Sequence, residues 1–289
     1  MLEKLLYLVN FESYDIDLVR CLTRLKDVGC QELVLAHILR PEEALHHIPP
    51  LLRDDLRRCL SEVAHQKLAE FATICQAVGI TACPIVKTGD LAWLEIRQLV
   101  VQEGIALLVV GPRVGPRLDA TVNFLMSGSR TPLLIVKVPE KIAQAPYATI
   151  CQSLFGRVLY PTDWSPCSQK ALTYIVRLRP LGISDVTVVH VVEPQTAAEL
   201  SKGERASYAE NVAQQLAETQ RTLEAAGLRA STQVLKGDPG RELVRLATQE
   251  QIALIVMGAT GKGMAAEMAL GSVSGQVART TDRSILLIY

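Results

Sequence analysis

The sequence lacks an excess of charge of either sign: Lys and Arg together number 30, and so do Asp and Glu. A balanced chain has no general pull toward nucleic acid or an anionic membrane, so any anion site on it must be local. It also lacks an apolar run of about 18 residues, which excludes a bilayer-spanning helix. The apolar run nearest the start, Leu5 to Val9, is too short for a signal-peptide core and has no small-residue cleavage site, so the expected location is the cytoplasm. No C-x-x-C pair occurs among seven scattered cysteines (Cys21, Cys30, Cys59, Cys75, Cys83, Cys151 and Cys167), which read as reduced packing thiols. A G-x-x-x-x-G-K-[ST] loop is missing, and no two histidines stand at i, i+4 beside a glutamate. The first absence excludes a P-loop, and the second argues against a metal centre.

Apolar material is plentiful, with 49% hydrophobic and 21% charged residues in 289, enough for about two cored domains. Apolar runs at Leu5–Val9, Glu32–Leu39, Ile80–Lys87, Ile105–Val110 and Pro132–Val138 alternate with helix-period stretches at Tyr14–Lys26, Leu51–Ala77, Asp90–Gln102 and Ala120–Ser129. After a patternless, proline-containing segment the order begins again. Strands are expected at Arg157–Thr162, Asp185–Val192, Arg229–Lys236, Ile252–Met257 and Ile285–Tyr289, with helices at Pro166–Leu178, Glu199–Ala226, Asp238–Gln249 and Ser272–Thr280. The stretch from Gln102 to Gly111 matches that from Gln249 to Gly258, and Lys87–Asp90 echoes Lys236–Asp238, so the chain is an internal duplication. Continuously apolar strands alternating with helices predict an α/β fold: two tandem five-stranded, open, doubly wound parallel sheets. The domains are expected at 1–140 and 156–289, with a linker at 141–155. With strand order 3-2-1-4-5, ligands belong beyond the carboxyl ends of strands one and four, where the order reverses.

That crevice is where the glycines lie. The apolar run ending at Met257 meets Gly258, Ala259, Thr260 and Gly261, then nine residues, then Gly271 and Ser272 at the start of a helix. Glycines let backbone approach an anion, and the first N–H groups of a helix point at it unpaired. Gly261, Gly263 and Ala266 also spell G-x-G-x-x-A, but a dinucleotide fingerprint belongs after the first strand of its unit, not the fourth.

The G-x2-G-x9-G-[ST] spacing of Gly258, Gly261, Gly271 and Ser272, joined to Pro161, Thr162 and Asp163 at the first strand's end, resembles the universal stress protein family across almost the whole chain, as a tandem pair. The resemblance implies an adenine-nucleotide alpha-hydrolase-like fold and an ATP-binding regulatory module of the stress response, with ADP or AMP as related ligands. It implies that Asp163 bonds the ribose or adenine, with Pro161 and Thr162 shaping that edge, and that Val191 sits by the adenine. Met257 and Gly258 would line the ribose and phosphate wall, while Gly261, Gly271, Ser272 and Val273 would hold the phosphates. It further implies that the fifth strands pair as an intramolecular pseudo-dimer, with room for a homodimer of the tandem. No catalytic residue and no protein-held metal is assigned. Glu267 is the one loop carboxylate suited to a magnesium ion or a water, and an ordinary helical surface glutamate is its simpler reading. A slow ATP hydrolase or phosphotransferase, and a scaffold that binds nothing, are the alternatives.

The first half departs from the pattern. Asn10 and Leu8 stand where Asp163 and Pro161 stand, the second glycine is missing from Gly111–Val114, and Leu133 lies 22 positions after Gly111 where Ile285 lies 27 after Gly258. Asp119 falls at the position of Gly271, so only the second half is expected to bind nucleotide. His37 and His190, at matching strand ends, read as packing residues. Trp93 and Trp164 read as packing or rim residues, and Asp163 has a rival reading as a helix N-cap.

Overall fold

The computed structural model describes residues 2–11, 15–40, 49–114, 117–138, 151, 154–195, 201–261 and 270–289. Most of the expected linker, His46 and His47, and the loop residues Lys262, Gly263, Ala266 and Glu267 lie outside them. Two compact units result: Met1–Pro112 with Leu118–Ile135, and Arg113–Arg117 with Val136–Tyr289.

The first half runs β1 (Lys4–Leu8), α1 (Asp15–Leu22), β2 (Glu32–Leu39), α2 (Pro50–Ala77), β3 (Thr81–Thr88), α3 (Ala92–Gln102), β4 (Leu107–Val114), α4 (Ala120–Gly128) and β5 (Leu133–Val138). Its strand order is β3-β2-β1-β4-β5. The second half runs β6 (Val158–Pro161), α5 (Pro166–Leu178), β7 (Asp185–Val192), α6 (Lys202–Ala225), β8 (Arg229–Lys236), α7 (Pro239–Gln249), β9 (Leu254–Gly258), α8 (Ser272–Thr280) and β10 (Ser284–Ile288). Its order is β8-β7-β6-β9-β10, the same 3-2-1-4-5 winding. The pairings of β6 with β7 and β9, of β7 with β8 and of β9 with β10 are all parallel. Helices cover both faces of such a sheet, so β6 and β9 are apolar and almost wholly buried, and β7 is buried from Val186 to His190 with Thr187 and His190 its polar members. β10 is buried throughout, while the edge strand β8 alternates exposed and half-buried residues.

Helix ends follow local chemistry. Asp238 caps α7 by accepting from the Arg241 N–H at 2.8 Å, with Pro239 in the first turn where its missing N–H costs nothing. Ser201 and Glu204 close a reciprocal capping box on α6. At α3 the cap expected from Asp90 is absent: Leu91 holds the N-cap position and makes no side-chain bond. Two thiols also depart from expectation, because Cys21 and Cys151 are disulfide-bonded, whereas Cys30, Cys59, Cys75, Cys83 and Cys167 are free. The last difference bears on function. β4 continues through Gly111 to Val114 as strand, where β9 ends at Gly258 and turns.

Candidate nucleotide site

Above the carboxyl ends of β6, β7 and β9 lies a cavity of about 620 Å³. All ten residues singled out from the sequence line it: Pro161, Thr162 and Asp163 after β6, Val191 on β7, Met257, Gly258 and Gly261 on β9 and its loop, and Gly271, Ser272 and Val273 at the start of α8.

The glycines are steric requirements here. A Cβ on Gly258 would lie 2.9 Å from both Cys167 Cβ and the Ser168 nitrogen, so β9 can approach the start of α5 only without a side chain. A Cβ on Gly261 would lie 2.8 Å from Asp163 Oδ2, and its absence lets that carboxylate reach the loop. The loop's ends are tied down. Ala259 donates to the Ile288 carbonyl at 2.7 Å, Gly271 donates to the Ala259 carbonyl at 2.8 Å, and Ser274 Oγ donates to that same carbonyl at 2.6 Å. From the α5 side, Cys167 Sγ lies 3.2 Å from Thr260 Oγ1, and Ser165 Oγ lies 3.4 Å from the Thr260 carbonyl.

These ties present the first turn of α8 to the cavity. Gly271 occupies the N-cap in an extended conformation with no side-chain cap, so the leading N–H groups have no carboxylate or hydroxyl supplied from that position. Such groups, together with the helix dipole, are suited to an anion, and a charged acceptor gains roughly 1.5–3 kcal/mol per bond.

Asp163 is not the cap of α5. That position belongs to Ser165, whose hydroxyl accepts from the Ser168 N–H, while Asp163 Oδ1 accepts from the Ser165 N–H at 3.0 Å. The carboxylate is thereby oriented, its other oxygen near Gly261. Thr162, only 6% exposed, is held by the Val189 carbonyl through its N–H, and its hydroxyl lies 3.2 Å from Ser168 Oγ. Burial pushes the Tyr160 phenol up from its ordinary value, and its hydroxyl donates to the Ser168 carbonyl at 2.7 Å.

Among the lining residues outside the set read from the sequence, three polar ones stand at the β7 end. His190, Tyr208 and Glu193 also face the cavity. The His190 ring is more than a packing group: Nδ1 lies 2.9 Å from the Thr162 carbonyl, Nε2 lies 3.0 Å from the Tyr208 hydroxyl, and Trp164 packs on it at 4.5 Å between ring centroids. Trp164 holds φ of +58°, a left-handed conformation uncommon for a bulky residue. Its counterpart Phe11 has φ of +60° and packs 4.3 Å from His37, whose Nδ1 lies 2.7 Å from the Val9 carbonyl. A strand-end histidine under a left-handed aromatic is thus a repeated device, and the matched spacing of Phe11/His37 and Trp164/His190 was its available signal. Tyr208 lies in a long polar helix, where nothing local marks it.

The first unit differs at each point that would face an anion. Tyr7, Asn10 and Asp15 stand 153 residues before Tyr160, Asp163 and Ser168. Asp15 is fully buried, its carboxylate against the Tyr7 hydroxyl and accepting from the Asn10 N–H at 3.2 Å. At α4 the N-cap is Asp119, whose carboxylate accepts from the Val122 N–H at 2.8 Å. That helix start is satisfied by its own chain.

Among the described residues no group of three or more His, Cys, Asp or Glu side chains is placed to hold a metal ion, and no helix is long and apolar enough to cross a membrane.

A model of the universal stress protein family matches residues 154–288. Among characterised sequences, the universal stress protein MJ0577 of Methanocaldococcus jannaschii is 23% identical over 154 residues, covering 47% of this chain and 95% of the relative. YxiE of Bacillus subtilis, another universal stress protein, is 26% identical over 154 residues, covering 47% of this chain and 99% of the relative. Among solved structures, a universal stress protein from Archaeoglobus fulgidus matches with a TM-score of 0.71 at 21% identity, over 100% of this chain and 98% of that one. At such identity the structural likeness speaks for the fold alone, but it does so over both halves. The chain thus carries, at residues 154–288, a domain that matches the universal stress protein family.

Proposed function

We propose that the second unit binds an adenine nucleotide, ATP with ADP or AMP as related ligands, and serves as a regulatory module of the cytoplasmic stress response. The observation that carries this reading is the start of α8, uncapped and opening onto the cavity, where α4 is closed by Asp119. The strand order supplies the rest. β9, β6 and β7 are successive neighbours roughly 5 Å apart. A ligand with phosphates over the β9 loop therefore has its ribose over Asp163 and its base over Val191, so Pro161, Thr162, Asp163, Val191, Met257, Gly258, Gly261, Gly271, Ser272 and Val273 form the binding set. A cavity of about 620 Å³ falls within the range usual for such ligands. Magnesium, when it accompanies the phosphates, would take its ligands mainly from them and from water, with the Asp163 carboxylate beside Gly261 on the same cavity wall.

Only the second unit is assigned a ligand. In the first, a phosphate would meet the Asp119 carboxylate at the helix start, and Asp15 is buried where Ser168 lines the cavity of the second. Binding rather than turnover is assigned: the phosphate end offers the Ser272 hydroxyl and the leading N–H groups of α8, groups that hold charge. We divide the chain at the 141–155 segment into a degenerate and a binding domain. The fully buried, mainly apolar β5 and β10 are suited to pair as an intramolecular pseudo-dimer, and a homodimer of the tandem is compatible with the same design.

Isothermal titration with ATP, together with mass spectrometry of nucleotide released from gently denatured protein, tests the assignment. One site per chain is expected. Two equivalent sites would overturn the asymmetry, and no binding of ATP, ADP or AMP would leave the scaffold reading. Phosphate release at a steady rate would replace binding by hydrolysis.

A further inference from the structure

The base end of the cavity carries a hydrogen-bond polarity that the nucleotide reading does not require. The Thr162 carbonyl can only accept, so the His190 nitrogen 2.9 Å from it, Nδ1, carries the proton. In the neutral ring Nε2 is then an acceptor, and the Tyr208 hydroxyl 3.0 Å away must donate to it. With its one proton committed, the Tyr208 oxygen offers lone pairs to anything else it meets. Glu193, which follows β7 and lines the same cavity, offers a carboxylate, which also only accepts. Burial, reinforced by the Glu193 charge, pushes the Tyr208 phenol up from its ordinary value, so the hydroxyl keeps the proton it donates.

With an adenine nucleotide seated as above, the reading on which this inference rests, we propose that Tyr208 and Glu193 are the base-selecting residues. They accept from the exocyclic 6-amino group of a purine and reject a 6-oxo purine. An amino group brings two N–H donors to a wall of acceptors, whereas a 6-oxo group brings lone pairs to lone pairs. Tyr208 could turn its proton toward a carbonyl only by giving up its bond to His190 Nε2, so the switch costs a hydrogen bond. His190 acts as a positioning residue. It fixes which way Tyr208 points, and its own direction is set by backbone through Thr162.

The test compares ATP with inosine triphosphate, in which the 6-amino group is replaced by a carbonyl, and with purine riboside triphosphate, which carries hydrogen there. The wild-type chain is expected to bind ATP about tenfold or more tighter than inosine triphosphate, with the 6-hydrogen analogue between them, the size expected when one polar wall meets the wrong partner. Tyr208→Phe and Glu193→Gln should each narrow the ratio several-fold while the melting temperature stays within a few degrees. His190→Phe should also narrow it, a readout that a merely structural role would not move. Equal affinity for the two triphosphates, or a ratio that survives in both Tyr208→Phe and Glu193→Gln, overturns the base-selection inference and leaves nucleotide binding standing. Failure of the wild-type chain to bind any of the three overturns the nucleotide reading itself.

Discussion

Gly271→Asp rebuilds in the second unit the helix start that the first unit already has. At α4 the Asp119 carboxylate takes the Val122 N–H at 2.8 Å, and the same placement at α8 would put a fixed negative charge where phosphate is proposed to sit. Two or three N–H bonds to a charged acceptor, at roughly 1.5 kcal/mol or more each, would be lost. A carboxylate about 4 Å from a phosphate charge adds repulsion of up to about 4 kcal/mol at the effective dielectric of a protein surface. Even the first contribution alone, about 4 kcal/mol, corresponds to a loss near a thousandfold, enough to carry a micromolar site out of the range of titration calorimetry. Stability should hardly move. A Cβ at Gly271 would stand 3.1 Å from the Ala259 carbonyl and 3.2 Å from Ser274 Oγ, so these must give by a few tenths of an ångström. The new cap returns a few tenths of a kcal/mol relative to glycine. Gly271→Asn, equal in size and also a capping residue, carries the same strain and takes the same N–H without the charge, so its loss should be smaller by the repulsion alone, up to about 4 kcal/mol. The assay is calorimetric titration with ATP on both variants beside a thermal melt without ligand. A folded Gly271→Asp chain that binds ATP within threefold of wild type would show that the phosphates lie elsewhere. Equal losses in Asn and Asp would show that charge is not the reason.

Trp164, adjoining Asp163 and packed on His190, should report the ligand: ATP is expected to change tryptophan emission in the wild type and in Trp93→Phe, and to leave Trp164→Phe silent. Gln251 occupies a left-handed conformation, φ of +52°, where the first half places Gly104 at φ of +61°. Gln251→Gly should therefore raise stability by up to about 1 kcal/mol, read as a shift in denaturant midpoint, and an unchanged or lower midpoint would show that the conformation carries no strain. Asp185 is held to about 2, below its ordinary 3.8, first by the hydrogen bonds from Arg229 and then by Ser184. A depressed carboxylate favours the fold above its unfolded value, so this increment should be lost as pH falls from about 4 toward 2, worth at most about 1 kcal/mol for so exposed a pair. Asp185→Asn should flatten that part of the stability profile, and a wild-type curve already flat between those values would refute it.

The winding and the cavity's glycine wall were legible because each rests on a local pattern. Continuous apolar runs mark strands covered on both faces, and glycines stand where a Cβ would strike Cys167, the Ser168 nitrogen or Asp163. The base end was illegible for the opposite reason. Tyr208 lies on a helix that carries few apolar residues, and only the packing of α6 brings its hydroxyl to His190. Glu193 ends an apolar strand and looks like any solvated terminus. The failed cap at Asp90 shows the same limit from another side: a residue type suited to capping does so only if the chain enters the helix at that residue, and here it enters at Leu91.

The duplication turns these differences into an argument about selection between two sites on one chain. Both units keep the histidine, the left-handed aromatic and the buried tyrosine at the strand ends, features that serve the fold. They differ in where carboxylates stand. The second unit sets Asp163 beside the proposed ribose position and leaves its α8 start open. The first replaces that aspartate by Asn10, buries Asp15 beneath it, and closes α4 with Asp119. Neutral decay of an unused site would loosen its loop without supplying a well-made cap. The first unit instead continues β4 through Gly111 and satisfies its helix start internally. Its stability thus does not depend on a ligand, whereas the second unit leaves N–H groups for a ligand to satisfy. Nucleotide should accordingly raise the unfolding temperature of the second unit and leave that of the first in place, a separation that domain-resolved hydrogen exchange can read.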